Sequence, residues 1–366
     1  MMIKKNNIIL LSVFITLCLF VFGINGVPMQ CLDEQGEPVD WWVIQKQPKL
    51  TKSTGRYRAG LGYMYADENN PTLEVSYKWL NDSDTALAHT LEQVFTDHIN
   101  PNLLWVMYND QPPESKVGSD YAHSKGVVAF TDDVGFWLIH SVPRFPLDPK
   151  TTKYHYPANE VRNGQSFLCV SYNAHENFAK IAEKIYTNRA YIYSYNIPST
   201  IGLQKTVLQK LIDGSSYNYA KTDSSDLYSL NGLKFKVFAK NTQWNNDLYE
   251  SLLQPAIAQN MLISTWRLGA KTTIMPTFCQ PNYTYDSVNV EELSIPGGSE
   301  FQWRYTKDHS KWAISLDQER NYVCIGDINR MYSQYKRGGG SACFVNDKLW
   351  NSYYNMIYDT SLCSTK

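Results

Sequence analysis

The sequence predicts an α/β fold built from two related halves, and three observations carry that expectation. The tripeptide His-Ser-Lys occurs twice, at His123-Ser124-Lys125 and at His309-Ser310-Lys311. After equal intervals, the two copies are followed by His140-Ser141-Val142-Pro143-Arg144 and by Gly326-Asp327-Ile328-Asn329-Arg330. Short apolar or β-branched runs also alternate with segments of helical period in both parts of the chain, the pattern of strands interleaved with helices.

Taken in order, residues 1–26 read as a signal peptide. Lys4 and Lys5 precede an apolar run from Ile8 to Phe22, and the small or turn-forming Gly23, Asn25 and Gly26 follow. The run is short for a membrane span and no stop-transfer pattern follows it. Residues 27–213 then form the first half, 214–226 a polar linker rich in Ser, Asn and Tyr, and 227–366 the second half. Helical periodicity marks Thr85 to His98, with Asp84 as its N-cap, then Phe178 to Tyr186 and Leu203 to Ile212. Strands are expected at Val127 to Phe130, Phe136 to Ile139 and Phe167 to Ser171. The second half repeats the mixture, with a helix from Asp247 to Ala258 and strands at Trp312 to Ser315 and Tyr322 to Ile328. The run Gly338-Gly339-Gly340 reads as a mobile turn rather than a phosphate-binding loop, because lone glycine runs are weak phosphate signals.

Composition narrows the function classes. The chain has 10 Trp and 26 Tyr, which argues against disorder, and a formal net charge of −1, which is a poor footprint for nucleic acid at neutral pH. In an acidic compartment its 7 histidines protonate and some carboxylates neutralise, so the charge turns cationic. Removing the signal peptide takes Cys18 with it and leaves Cys31, Cys169, Cys279, Cys324, Cys343 and Cys363. An even set in an oxidising compartment fits three disulfides, with about fifteen pairings open. No Cys-x-x-Cys or Cys/His cluster has zinc spacing, so no metal or other cofactor is expected. Sequons at Asn81 and Asn282 agree with a secretory route, while Asn70-Pro71-Thr72 is excluded by its proline.

The repeat has the composition of a phosphodiesterase site. In an extended segment, residues two apart project to the same side, so each His-x-Lys presents one imidazole and one ammonium to a common cleft. One neutral histidine can attack phosphorus while the other, protonated, donates to the departing oxygen. Lys125 and Lys311 would bind the anionic oxygens, so His123, Lys125, His309 and Lys311 are the candidate catalytic residues. Two imidazoles around one phosphate titrate as a pair whose singly protonated form works, which places the optimum on the acid side of neutrality. Ser141, Asp327 and Asn329, in the tails of the repeat, are candidates for fixing tautomers or contacting phosphate. His89, His98, His155 and His175 lack repeated context and default to packing or surface roles, and His140 aligns with Gly326, so a shared catalytic role is not expected of it. Arg144 and Arg330 match each other, as an ion pair between the halves or as phosphate contacts.

These motifs resemble the deoxyribonuclease II family. The matching segments are Pro38-Val39-Asp40-Trp41-Trp42, Tyr108-Asn109-Asp110-Gln111-Pro112-Pro113, His123-Ser124-Lys125-Gly126-Val127, Phe136-Trp137-Leu138-Ile139-His140-Ser141-Val142-Pro143, Asp308-His309-Ser310-Lys311-Trp312 and Gly326-Asp327-Ile328-Asn329-Arg330. Arg337-Gly338-Gly339-Gly340 and Cys363 extend the match. The resemblance implies a metal-independent acid endonuclease that acts on DNA in lysosomes or outside the cell and leaves 3′-phosphate and 5′-hydroxyl ends. It also implies a phospholipase D-like fold, with two halves of mixed sheet and flanking helices about a pseudo-twofold axis and both His-x-Lys motifs at their interface. Family cysteine order implies the pairs Cys31–Cys169, Cys279–Cys363 and Cys324–Cys343.

One departure stands out. Phospholipase D motifs continue with an Asp five positions after the Lys, and here those positions are Phe130 and Leu316. Asp132 and Asp317 lie nearby but take no role from the family pattern, which leaves Asp327 and Asn329 as the expected substitutes for an orienting carboxylate. Two rival functions share the sequence features: a phosphodiesterase of the same fold acting on phospholipid or another ester, and a luminal binding protein that has lost catalysis. The four intact His and Lys positions weigh against the latter.

Overall fold

The computed structural model describes residues 29–363 except 116, 204, 215–219, 270–272 and 362. The signal-peptide reading of 1–26 lies outside the described residues. So do residues 215–219 of the expected linker 214–226, and the strand Thr222–Tyr228 begins within its last part. Among the described residues no helix is long and apolar enough to cross a membrane.

Two large sheets organise the α/β fold. The first has eight strands in the spatial order Ile192–Asn196, Leu104–Asn109, Lys125–Phe130, Val134–His140, Gln165–Asn173, Trp41–Lys46, Tyr63–Asp67, Glu74–Val75. All its neighbouring pairs are antiparallel. The second runs Thr222–Tyr228, Lys234–Lys240, Gly339–Val345, Tyr322–Gly326, Trp312–Ser315, Met261–Ser264, Ser287–Ser294, Gln302–Arg304, and Ile357–Ser361 joins it on Ser287–Ser294. Met261–Ser264 and Ser287–Ser294 are parallel, which makes this sheet mixed.

Side-chain alternation explains why both sheets are buried on two faces. Trp41, Val43, Val128, Phe130, Trp137 and Leu168 point into a core shared with Val237, Ile314, Val323 and Phe344 of the second sheet. Their neighbours Trp42, Ile44, Val127, Ala129, Phe136 and Phe167 face the opposite way, against the helix Ala86–Thr96. In the second sheet, Ala313, Cys324 and Cys343 turn outward against Tyr249, Leu253 and Ile257. The two sheets therefore share one hydrophobic core and hold their strand ends rigidly with respect to one another.

Around the His-Ser-Lys copies the local order repeats. Lys125–Phe130, Val134–His140 and Gln165–Asn173 are successive antiparallel neighbours, and so are Trp312–Ser315, Tyr322–Gly326 and Gly339–Val345. Each third strand runs into a helix, Ala174–Asn188 or Asp347–Met356, whose N-cap is an asparagine accepting from the backbone three residues on.

Several expectations need adjustment. Thr85, not Asp84, caps the helix Ala86–Thr96 by accepting from Ala88 N, while Asp84 pairs with Lys78. The helix expected over 247–258 is a π-helical turn, Tyr249–Leu253, continued by Gln254–Ile257. The glycine run is neither a mobile turn nor a phosphate loop. All three glycines are buried, and a Cβ on Gly338 would lie 1.9 Å from the Asn188 carbonyl oxygen. The disulfides are Cys31–Cys169, Cys279–Cys363 and Cys324–Cys343, as family order implied. The first closes a span of 138 residues and restrains the unfolded chain most.

Candidate active site

The first half-site is assembled by strand register. Lys125 opens its strand opposite Asn109 in the neighbouring strand, so the next residue, Asp110, leaves the sheet beside the Lys125 ammonium. Lys125 Nζ donates to Asp110 Oδ1. Arg337, from the second half of the chain, donates through Nη2 to Asp110 Oδ2 at 3.1 Å and to the Tyr121 carbonyl at 3.0 Å. His123 Nε2 lies 3.9 Å from the same Oδ2. Burial pushes the Asp110 carboxyl up, but Lys125, His123 and Arg337 outweigh it and hold the group far below the usual carboxylate range.

The second half-site uses the same register with different chemistry. Ser264 pairs with Trp312, so the residue matching Asp110 is Trp266. Its indole meets the His309 ring edge-on at 4.7 Å between centroids. Lys311 Nζ donates to the His309 carbonyl at 2.6 Å, and the Lys311 backbone N–H donates to Ser166 Oγ at 3.0 Å. Asp308 is buried behind the motif, where it accepts from Trp303 Nε1 and from Ser310 N, each at 2.8 Å.

Both half-sites open into one cleft of about 290 Å³. Its walls include His123, Lys125, His309 and Lys311, together with Ser141, Asn329 and Trp266. Asn329 Oδ1 is buried without a hydrogen-bond partner among the described residues. Ser141 and Asp327 serve the sheets rather than the imidazoles. Ser141 Oγ accepts from Ser166 N at 3.0 Å and donates to Gln165 Oε1, while Asp327 Oδ1 accepts from Gly340 N at 2.7 Å. Arg144 and Arg330 each pair inside their own half, with Glu160 and Asp247, rather than across the halves. His140 is buried between Phe145 and Phe167.

Burial and the two lysines dominate the electrostatics of the cleft. Burial, Lys311 and Lys125 push the His309 imidazole down to about 3. Burial and Lys125 push His123 well below its usual value, with Asp110 opposing. Burial and Lys125 bring the Lys311 ammonium down to about 7, and burial raises the Asp327 carboxyl to about 7. Two ammonium groups are thus held without enough carboxylate to balance them, an arrangement that an incoming anion would relieve. Among the described residues, no group of three or more His, Cys, Asp and Glu side chains is arranged to hold a metal ion.

The sequence pattern described as Deoxyribonuclease II matches residues 30–363. The chain belongs to the deoxyribonuclease II family. It is 36% identical to Deoxyribonuclease-2 of Caenorhabditis elegans, over 88% of this chain and 91% of that one. Plancitoxin-1 of Acanthaster planci is 35% identical, over 92% and 93%. Deoxyribonuclease-2-alpha of Mus musculus is 30% identical, over 92% and 94%. Membership of the deoxyribonuclease II family makes this chain a hydrolase of phosphodiester bonds.

Sequence reasoning missed Asp110, Arg337 as its partner, and Trp266. Asp110 lies in a segment quoted for the family resemblance, but the carboxylate was sought five residues after each lysine. Those positions are Phe130 and Leu316, which pack in or against the core at the far ends of the strands. The signal that would have found Asp110 is the strand preceding the motif, which must pair with it and end beside its lysine.

Proposed function

We propose that the protein is an acid endodeoxyribonuclease that needs no metal and cuts DNA to 3′-phosphate and 5′-hydroxyl ends through a phosphohistidine, with the two halves related by a pseudo-twofold axis and the active site between them. The observation that carries this reading is the single cleft lined by both His-Ser-Lys copies. A backbone phosphate seated there would contact Lys125 on one side and Lys311 on the other, and either side would offer an imidazole.

In the proposed reaction one neutral imidazole attacks phosphorus. A nitrogen–phosphorus bond forms, the bond from phosphorus to the 5′ oxygen breaks, and the other imidazolium gives that oxygen its proton. Water then attacks phosphorus and gives its proton to the second imidazole, while the nitrogen–phosphorus bond breaks and frees the first imidazole and the 3′-phosphate. Both lysines offset charge on the non-bridging oxygens throughout. Asn329 supplies an amide on the same wall.

An acid optimum follows from the cleft's own charge. The free site keeps both imidazoles neutral, so the proton needed by the leaving oxygen arrives with substrate, whose negative charge offsets Lys125 and Lys311 and raises the imidazole pKa. Low pH supplies that proton. The three disulfides and the exposed sequons Asn81 and Asn282 support lysosomal or secreted residence with glycosylation. DNA is the proposed partner, bound through several phosphates, so activity should fall steeply with salt.

The test is plasmid nicking at acid pH in EDTA with wild type, His123→Ala and His309→Ala. Wild type should nick and both variants should be nearly inactive, and the cut ends should accept a 3′ label only after phosphatase treatment. Full activity in either variant would overturn the two-histidine mechanism. Absence of nicking by wild type in EDTA would overturn metal independence.

A further inference from the structure

Two buried lysines outside the cleft repeat the symmetry of the His-Ser-Lys copies. Lys46 ends its strand opposite Gln165, and Lys240 ends its strand opposite Gly339. Both are almost fully buried, at 0% and 1% exposure. An ammonium has three donors and no acceptor, and removing it from water is tolerated only where all three are used.

Each uses all three on backbone carbonyls. Lys46 Nζ donates to Gln47, Val161 and Asn163 at 3.0, 3.0 and 2.7 Å. Lys240 Nζ donates to Gln334, Tyr335 and Arg337 at 2.9, 3.0 and 2.6 Å. Val161 and Asn163 stand three and one residues before Gly164, and Tyr335 and Arg337 stand three and one residues before Gly338. The two ammonium groups therefore clamp matching turns by matching atoms.

Those turns reach across the molecule. The Gly164 carbonyl accepts from the His309 backbone N–H at 2.9 Å, and the Gly338 carbonyl accepts from the His123 backbone N–H at 2.9 Å. Neither glycine tolerates a side chain without displacement, since a Cβ on Gly164 would lie 2.5 Å from Asp308 Oδ1 and one on Gly338 would strike the Asn188 carbonyl. Each half thus holds the other half's histidine by one backbone bond, and a lysine fixes the carbonyl that makes it.

We infer that Lys46 and Lys240 are crossed positioning residues: Lys46 of the first half seats His309 through the Gly164 turn, and Lys240 of the second half seats His123 through the Gly338 turn. Neither lysine is among the residues that line the cleft. Burial brings Lys46 down to about 7 and Lys240 down to about 8, with Asp308 and Glu160 facing the former and Asp247 the latter, so both clamps stay charged in acid. The inference rests on the proposed catalytic role of His123 and His309 only where activity is concerned.

The experiment is histidine-selective carbon-13 NMR on the full chain, with His123 and His309 assigned by His→Gln variants, applied to Lys46→Met and Lys240→Met. Lys46→Met should shift the His309 ring signal and leave His123 in place, and Lys240→Met should do the reverse. In the acid nicking assay each variant should lose roughly 10- to 100-fold in kcat with little change in KM, since a small misplacement of a reacting group costs that much. If a methionine variant does not fold, Lys→Gln, which keeps two donors, should give the same crossed pattern in smaller measure. Joint shifts of both signals, or none, in folded protein would overturn the inference, and failure of both variants to fold would assign the lysines to stability and overturn it too. A crossed pattern in a protein that does not cut DNA would keep the positioning role and sink the catalytic reading.

Discussion

Behind His123 stands a carboxylate, and behind His309, at the matching register position, stands an indole. The backbone frames around the two histidines are otherwise alike: a glycine carbonyl from the opposite half on each N–H, and a lysine two residues on that opens or directly precedes a strand. Asp110 gathers Lys125 and Arg337 around itself, whereas the Lys311 ammonium bonds the carbonyl of its own motif. A repeated frame with unequal side chains teaches how one site can ask different things of two identical groups. A carboxylate stabilises an imidazolium by its full negative charge, and an indole carries none.

The strongest way to break the comparison is to remove either histidine. Each of His123→Ala and His309→Ala should lower kcat at acid pH by about 10³-fold, and the double variant should lose little more, because the proposed steps share one intermediate. Steady-state nicking with purified variants measures this, and additive losses would show that the imidazoles act independently.

The carboxylate and the indole come next. Asp110→Asn leaves the buried Lys125 and the half-buried Arg337 without their counter-charge, so it should cost roughly 3–5 kcal/mol of stability by denaturant titration as well as activity. The folded Asp110 pKa is depressed, so the stabilisation is full above about 3.8 and is lost only as pH falls through the much lower folded value. The deficit of Asp110→Asn should therefore persist across the mildly acid range. Trp266→Phe keeps an aromatic ring against His309 and should cost less than about tenfold in kcat. Equal losses for the two variants would erase the distinction between the half-sites.

The smallest effect concerns Asp327, whose folded pKa is raised to about 7 by burial. Between about 3.8 and 7 the folded state holds the proton more tightly than the unfolded one, so wild-type stability falls as pH rises through that window. Asp327→Asn keeps an oxygen for Gly340 N and removes the titration. Its melting temperature should gain on wild type steadily from the acid to the neutral end, and a constant offset would contradict the raised pKa.

Much of this was legible in the sequence because it depends on local pattern. The strands around both motifs were expected within a few residues, since alternation of Val128 and Phe130 against Val127 and Ala129 is a period the eye can find. The equal spacing of Ser141 and Asp327 from their lysines also had meaning: both bond the backbone of the third strand, at Ser166 and at Gly340. The sequence pointed to tautomer fixing or phosphate contact for these residues and not to this backbone bond, because spacing reports equivalence and not direction. Asp110, Trp266, Lys46 and Lys240 were invisible for a common reason. Each acts through strand pairing between distant segments, and register is fixed by the packed sheet rather than by any neighbouring residue.

In the proposed mechanism the two half-sites divide one reaction between them. DNA carrying a bridging sulfur in place of the 5′ oxygen at a single scissile position tests it most directly, because a thiolate leaves without a proton. Single-turnover cleavage of this substrate should restore activity to one of the variants His123→Ala and His309→Ala by about 10²-fold or more and leave the other inactive. Restoration of both, or of neither, would contradict the division of labour.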